Sequence, residues 1–173
     1  MSLNYLLSVI LYVIYLKEMG NIWYILKCPN GYEKRYIQIC QKLVEQKELK
    51  EVICFEYQQL MRYGGSWHLV TRNLLPGYIF LSGIKVMELK ENNFSLLPCG
   101  RPYLKELCQD GNMIGMSRGI INKGNTIVIS GPLKGRERLI RKIDRHKRTA
   151  RIEIPFTGES ILVTVGLEIY EKE

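Results

Sequence analysis

The chain changes its hydrophobic period near Asn125, and that change limits the fold more than any other feature of the sequence. From there onward, short runs of strand composition ("TIVIS", "RLIRKI", "TARIEI" and "ILVTVGLEIY") are separated by Gly-Pro, Asp-Arg-His-Lys and Thr-Gly-Glu turns. No helical period occurs among them. In "ARIEI", Ala150, Ile152 and Ile154 fall on one side of a strand while Arg151 and Glu153 fall on the other, because successive side chains on a strand point to opposite faces. Several short strands within about fifty residues predict a small β-barrel.

The preceding part reads differently. "NIWYILKC" (Asn21 to Cys28) is aromatic and β-branched and stops at Pro29-Asn30-Gly31, as a strand entering a turn does. From Tyr32 the apolar positions Tyr32, Tyr36, Cys40, Leu43 and Val44 form the stripe of an amphipathic helix ending near Gln46. Residues 52 to 72 read as a hairpin around Gly64-Gly65, and Pro76-Gly77 opens a further strand, "GYIFL". A short helix is expected over Ile84 to Lys90. This order of elements fits one α+β layer domain of about ninety residues. "CQDGNMIGMSRGIINKG" (Cys108 to Gly124) has no sustained period and reads as a linker or the approach to a second domain. The predicted organisation is therefore a domain over residues 19–108, a linker over 109–122 and an all-β domain over 123–173.

Residues 1–18 stand apart. "LNYLLSVILYVIYL" is apolar but shorter than the ~20 residues that span a bilayer, and it lacks the flanks of a secretory signal. Met19 is the expected start of the folded chain, with residues 1–18 a start-site extension. An added helix or a membrane-surface anchor are the alternatives. The five cysteines form no C-x-x-C pair and sit in apolar segments, which points to buried free thiols and a reducing cytoplasm.

Charge narrows the class of partner. A formal charge of +8 favours nucleic acid, an acidic protein or anionic lipid. The surplus is concentrated between Lys134 and Arg151, where nine basic residues face only Glu137 and Asp144. The basic nine are Lys134, Arg136, Arg138, Arg141, Lys142, Arg145, Lys147, Arg148 and Arg151. Alternation on strands explains an outward polar face but not its single sign. Arg forks onto phosphate and stacks on bases, so nucleic-acid contact is expected of this segment. Lys147 and Arg148 are expected at a hairpin tip with His146 beside them as a member of the tip rather than a ligand or catalyst.

"LLPGYIFL" (Leu74 to Leu81) is the second informative stretch. Core strand accounts for half of its side chains; Tyr78 and Phe80 share the other face, and Trp23 and Tyr24 raise the same question on the first strand. An exposed aromatic face there would mark a protein-binding site. Catalytic and cofactor signals are weak: no Walker loop, no dinucleotide fingerprint and no metal-ligand spacing occur. A Cys–His nucleophile would need Cys54 or Cys28 near His68. No catalytic residue, metal or cofactor is expected.

Together these segments resemble the NusG family of transcription elongation factors, over nearly the whole chain from Met19. "WYILKCPNGYE" looks like the family's opening strand and first helix, and "LLPGYIFL" like its Phe-Pro-Gly-Tyr strand, with Leu75 in place of the aromatic. "GNTIVISGPLKGRERLIRKIDRHKRTARIEI" resembles the KOW motif, with Asn125 in place of Asp and Arg138 in place of a glycine. Within the family, "MSRG…GPLKG…KIDRHKR.A" is most similar to the LoaP group of specialised antiterminators. The resemblance implies an N-terminal NGN domain, an antiparallel sheet flanked by helices, that docks on the clamp helices of RNA polymerase through Lys27, Leu75, Tyr78 and Phe80. It implies an SH3-like KOW barrel that binds a structured leader RNA hairpin through the basic segment, His146 included. It further implies a cytoplasmic, non-enzymatic monomer with no membrane partner. A general elongation factor, whose KOW domain binds a ribosomal protein or Rho, is the alternative.

Overall fold

Strands dominate the computed structural model, which describes residues 23–45, 49–83, 96–99, 102–108 and 111–172. The fold is α+β, and its contacts divide the chain into two units: residues 1–54 with 76–101, and residues 55–75 with 102–173. The extension over residues 1–18 and the helix expected over Ile84 to Lys90 lie outside the described residues.

The first unit holds a four-stranded antiparallel sheet. Its strands are β1 (Trp23–Lys27), β2 (Glu51–Ile53), β5 (Tyr78–Ser82) and β6 (Leu96–Cys99), in the order β2-β5-β1-β6. Helix α1 (Glu33–Glu45) begins one residue after the expected start, which leaves Tyr32 outside its first turn and exposed. Its apolar stripe packs Tyr36, Ile37, Cys40 and Val44 against Tyr24 and Leu26 of β1 and Ile79 and Leu81 of β5. The buried Glu33 carboxylate accepts the Gly77 backbone N–H at 2.8 Å, which ties the start of α1 to the turn before β5.

The opposite face of this sheet is buried as well. Trp23, Ile25, Ile53 and Phe80 are all at most 7% exposed. The open aromatic face anticipated on β1 and β5 is therefore absent, because these strands are apolar on both sides, as strands covered on both faces are. The exposed end of the ladder is polar, where Lys27 pairs with Tyr78 and its ammonium lies 5.9 Å from the ring centroid.

The second unit contains the expected hairpin. Strands β3 (Glu56–Tyr63) and β4 (Ser66–Asn73) pair in register from Glu56↔Asn73 to Tyr63↔Ser66. The two-residue turn needs positive φ at both positions, and Gly64 and Gly65 supply φ of 57° and 80°. A short strand β7 (Met113–Ile114) adds to β3 in parallel, and helix α2 (Leu104–Leu107) contributes buried leucines at both its ends.

A five-stranded sheet forms the rest of the unit, in the order β10-β11-β12-β8-β9. Its strands are β8 (Ser117–Asn122), β9 (Asn125–Ser130), β10 (Ile140–Asp144), β11 (Thr149–Phe156) and β12 (Glu159–Lys172). Residues 113–114 and 117–122 thus carry backbone pairing where a linker was expected, with Ile114 and Ser117 fully buried. The expected barrel is also not closed: the ladder is open, ending at β9 and β10. Its two parts are joined by β12, which pairs β11 up to Gly166 and β8 from Leu167 onward. A Cβ at Gly166 would collide with the Gln58 carbonyl and the Met116 sulfur, so only glycine lets β3 lie across the strand at that handover.

Candidate nucleic-acid interface

The alternation read in the sequence sets up the polar face of the second sheet. Ala150, Ile152 and Ile154 are buried at 1% or less, so Arg151 is turned outward. On β10 a register shift between Ile140 and Lys142 leaves Arg141 as the extra residue of a bulge. Lys142 is thereby brought directly opposite Arg151. Like charges facing each other across an antiparallel pair are unfavourable, and among the described residues neither makes an ion pair.

The turn from β10 to β11 adds a third cation. Asp144 accepts the Lys147 backbone N–H at 2.9 Å, which shapes the turn, and the Lys147 side chain is 81% exposed with its ammonium 4.0 Å from Asp144 Oδ2. Lys142, Lys147 and Arg151 line one cavity of about 310 Å³ with Gln59, Asp144, Thr149 and Thr164. His146 and Lys147 line a second, of about 270 Å³, with Gln59, Leu60, Met61, Arg62 and Trp67 of the hairpin. Gln59 and Lys147 belong to both, so the two form one groove.

Three of the expected contacts are committed elsewhere. Arg148 does not project from the tip: its guanidinium lies 2.6 Å from Glu168 and 3.7 Å from the Trp67 ring centroid, on a backbone with φ of 52°. Glu168 also takes Arg118 at 3.3 Å. Arg141 pairs with Glu153 at 2.5 Å, and Ser160 donates to the same carboxylate. These hydrogen bonds, Ser160 first and then Arg141, lower the Glu153 pKa from the usual carboxylate value. Arg136 donates to the carbonyls of Pro132 and Glu106 at 3.2 and 3.4 Å.

The remaining expected residues split by position. Lys134, Arg138 and Arg145 are exposed but do not line the groove. The loop carrying Lys134 and Arg138 is fixed toward β8 and β9, since Leu133 N–H donates to Ser117 Oγ at 3.1 Å and Val128 N–H to Glu137 at 3.1 Å. Of the residues assigned to a polymerase patch, Lys27 is exposed, Tyr78 is half-buried and Phe80 is 2% exposed, so the Phe80 ring is not at the surface. Leu75 is half-buried and belongs to the second unit.

Gln59, Arg62 and Trp67 were not anticipated as site residues. Trp67 on β4 is 37% exposed, and no residue of that strand is buried. What hid these residues was the long-range packing of the hairpin against β12. His68 is stacked on Tyr63 with centroids 3.7 Å apart and donates from Nε2 to the Tyr63 carbonyl. Burial pushes the thiols of Cys40, Cys99 and Cys108 up to about 11, and burial followed by the charge of Glu33 raises that of Cys28. Thiols so placed stay protonated near neutral pH. Among the described residues no cluster of His, Cys, Asp and Glu could hold a metal ion, and no helix is long and apolar enough to cross a membrane. No protein-family model matches the chain, and no curated protein matches it significantly.

Proposed function

We propose that the chain is a processive transcription antiterminator of NusG type, nearest in its motifs to the LoaP group. Residues 19–108 act as an NGN domain on the clamp helices of RNA polymerase. Residues 123–173 act as an SH3-like KOW domain on a structured leader RNA hairpin, so that polymerase reads through terminators of one operon in the cytoplasm. The work is done by binding, without catalysis, metal or cofactor. Lys27 and Tyr78 carry the polymerase contact, with Phe80 supporting them from inside the sheet.

The observation that carries the RNA assignment is the facing pair Lys142 and Arg151, with Lys147 in the same cavity. Three cations around a single carboxylate, Asp144, leave the cavity a positive surplus that fits a phosphate backbone. The motif order, with the Pro-Gly-Tyr strand before the Gly-Pro turn, supports the polymerase half. The test is transcription through a terminator by purified polymerase, with and without the protein and a candidate leader hairpin. Readthrough that depends on the hairpin is expected. Lys142→Glu with Arg151→Glu should abolish it and lower the slope of log affinity against log salt by about two. Readthrough indifferent to the double substitution would refute the RNA assignment.

A second reading has one observation of its own. Ile127 and Ile129 are exposed on β9, the last strand of the ladder, and an apolar edge strand suits a protein partner. A general NusG-like factor whose KOW domain meets a ribosomal protein or Rho would use that edge. Pausing or termination effects without any hairpin requirement would favour it.

A further inference from the structure

We infer that the groove takes an unpaired nucleobase of the bound RNA, stacked on Trp67 of the β3–β4 hairpin, so that the RNA site is built from the hairpin and the five-stranded sheet together. The inference rests on the RNA-binding reading above and adds which part of the RNA is held. Phosphate-binding cations alone call for no aromatic residue, yet the groove has one. Trp67 is 37% exposed and lines the 270 Å³ cavity beside Arg62, His146 and Lys147. The cavity continues into the one lined by Lys142 and Arg151 through shared Gln59 and Lys147. A base on the indole would thus have its phosphates beside the cations, the combination that single-stranded nucleic acid selects.

The indole is held in place before any ligand arrives. Arg148 covers the ring at 3.7 Å, and Glu168 fixes Arg148 at 2.6 Å. A base added to this stack would lie on a ring already ordered by a guanidinium, which lowers the entropy cost of stacking. Gln59 at the junction accepts a hydrogen bond from the Tyr57 hydroxyl at 3.3 Å, which leaves its NH₂ as the donor it can offer to a base edge. A duplex keeps its base faces covered and cannot use the ring. An acidic peptide would use the cations but gain nothing from an aromatic platform.

The two tryptophans make the test direct, because Trp23 is buried in the first unit. The full chain is titrated with an RNA stem closed by a loop of unpaired purines and with the same stem as a blunt duplex, reading both affinity and tryptophan emission. The looped RNA should quench emission and the blunt duplex should not. Trp67→Leu should weaken the looped RNA about tenfold, within the range of one base–aromatic stack, and leave the duplex unchanged. Trp67→Phe keeps a ring under Arg148; it should retain most of the affinity while losing the quench, which separates stacking from misfolding. Equal affinity of Trp67→Leu for the looped RNA, or equal losses on both RNAs, overturns the inference but spares the RNA reading. Binding of neither RNA by the wild-type chain overturns both. Competition by polyglutamate with the same Trp67 dependence would make the occupant an acidic peptide and overturn it too.

Discussion

The four-stranded sheet of the first unit and the five-stranded sheet of the second use the same strand geometry for opposite ends. In the first unit β1 and β5 are buried on both faces: Trp23, Ile25 and Phe80 on one side, Tyr24, Leu26, Ile79 and Leu81 on the other. In the second unit β11 from Ala150 to Ile154 is buried at alternate positions, and the residues between them are Arg151 and Glu153. A strand covered on both faces can offer a partner only its ends, which is why Lys27 and Tyr78 are what β1 and β5 expose. A strand covered on one face offers a continuous polar surface, and the bulge at Arg141 then chooses which cations meet on it. Binding chemistry thus accumulates where burial is incomplete.

Removing a side chain tests that contrast most strongly. Phe80→Ala should cost roughly 3–5 kcal/mol in denaturant unfolding, as for other fully buried phenylalanines, whereas Arg151→Ala should stay within about 0.5 kcal/mol. A small loss at Phe80 would mean that its ring is a surface group after all, and the distinction between the two sheets would fail.

A smaller effect is expected where the second sheet departs from its own rule. Arg148 is a member of the basic segment that has been drawn into structure. Arg148→Ala should lower stability by about 2 kcal/mol through loss of the Glu168 hydrogen bond and the Trp67 stack. Arg148→Gly should lose the same contacts but recover about 1 kcal/mol, since a residue with a Cβ is unfavourable at φ of 52° and glycine is not. Equal melting temperatures for the two variants would contradict the strained turn.

Much of the local structure was legible in the residues. Period 3.6 found α1 to within a residue or two, Gly64-Gly65 found the hairpin turn, and period 2 found the buried side of β11. Pairing between distant segments was not legible. Strand β7 pairs β3 in parallel and β8 pairs β12 in parallel beside its antiparallel neighbour β9, and no local pattern in "CQDGNMIGMSRGIINKG" announces the two parallel pairings. The same limit applies to the site. The cationic surplus pointed to the segment whose Lys142, Lys147 and Arg151 line the groove, but which arginines are spent on carboxylates depends on Glu153 and Glu168, which sit on β11 and β12. Trp67 entered the groove from a hairpin assigned to the other domain. The aromatic face expected on β5 failed for a related reason, because alternation tells which residues share a face and not whether that face is covered.

The smallest expected effect concerns acid. Glu137 lies in the 3₁₀ turn over Glu137–Leu139, before β10. Burial works to raise its pKa, but backbone N–H groups of Glu137, Val128 and Gly135 together outweigh burial, and the net shift is downward. A carboxyl with a lowered folded-state pKa adds stability that is present above its unfolded value, and that stability is lost as pH falls through the folded value. The melting temperature of the second unit should therefore decline as pH drops below the ordinary glutamate range, and Glu137→Gln should lower it at neutral pH while flattening that decline. The Glu137 carboxylate holds the Val128 N–H of β9 to the loop preceding β10, at neither end of the Lys142–Arg151 pair. RNA affinity of Glu137→Gln at neutral pH should consequently match the wild type. Parallel loss of affinity and stability would mean that the loop and the cationic face move together, and that the groove depends on more of the sheet than the strands that line it.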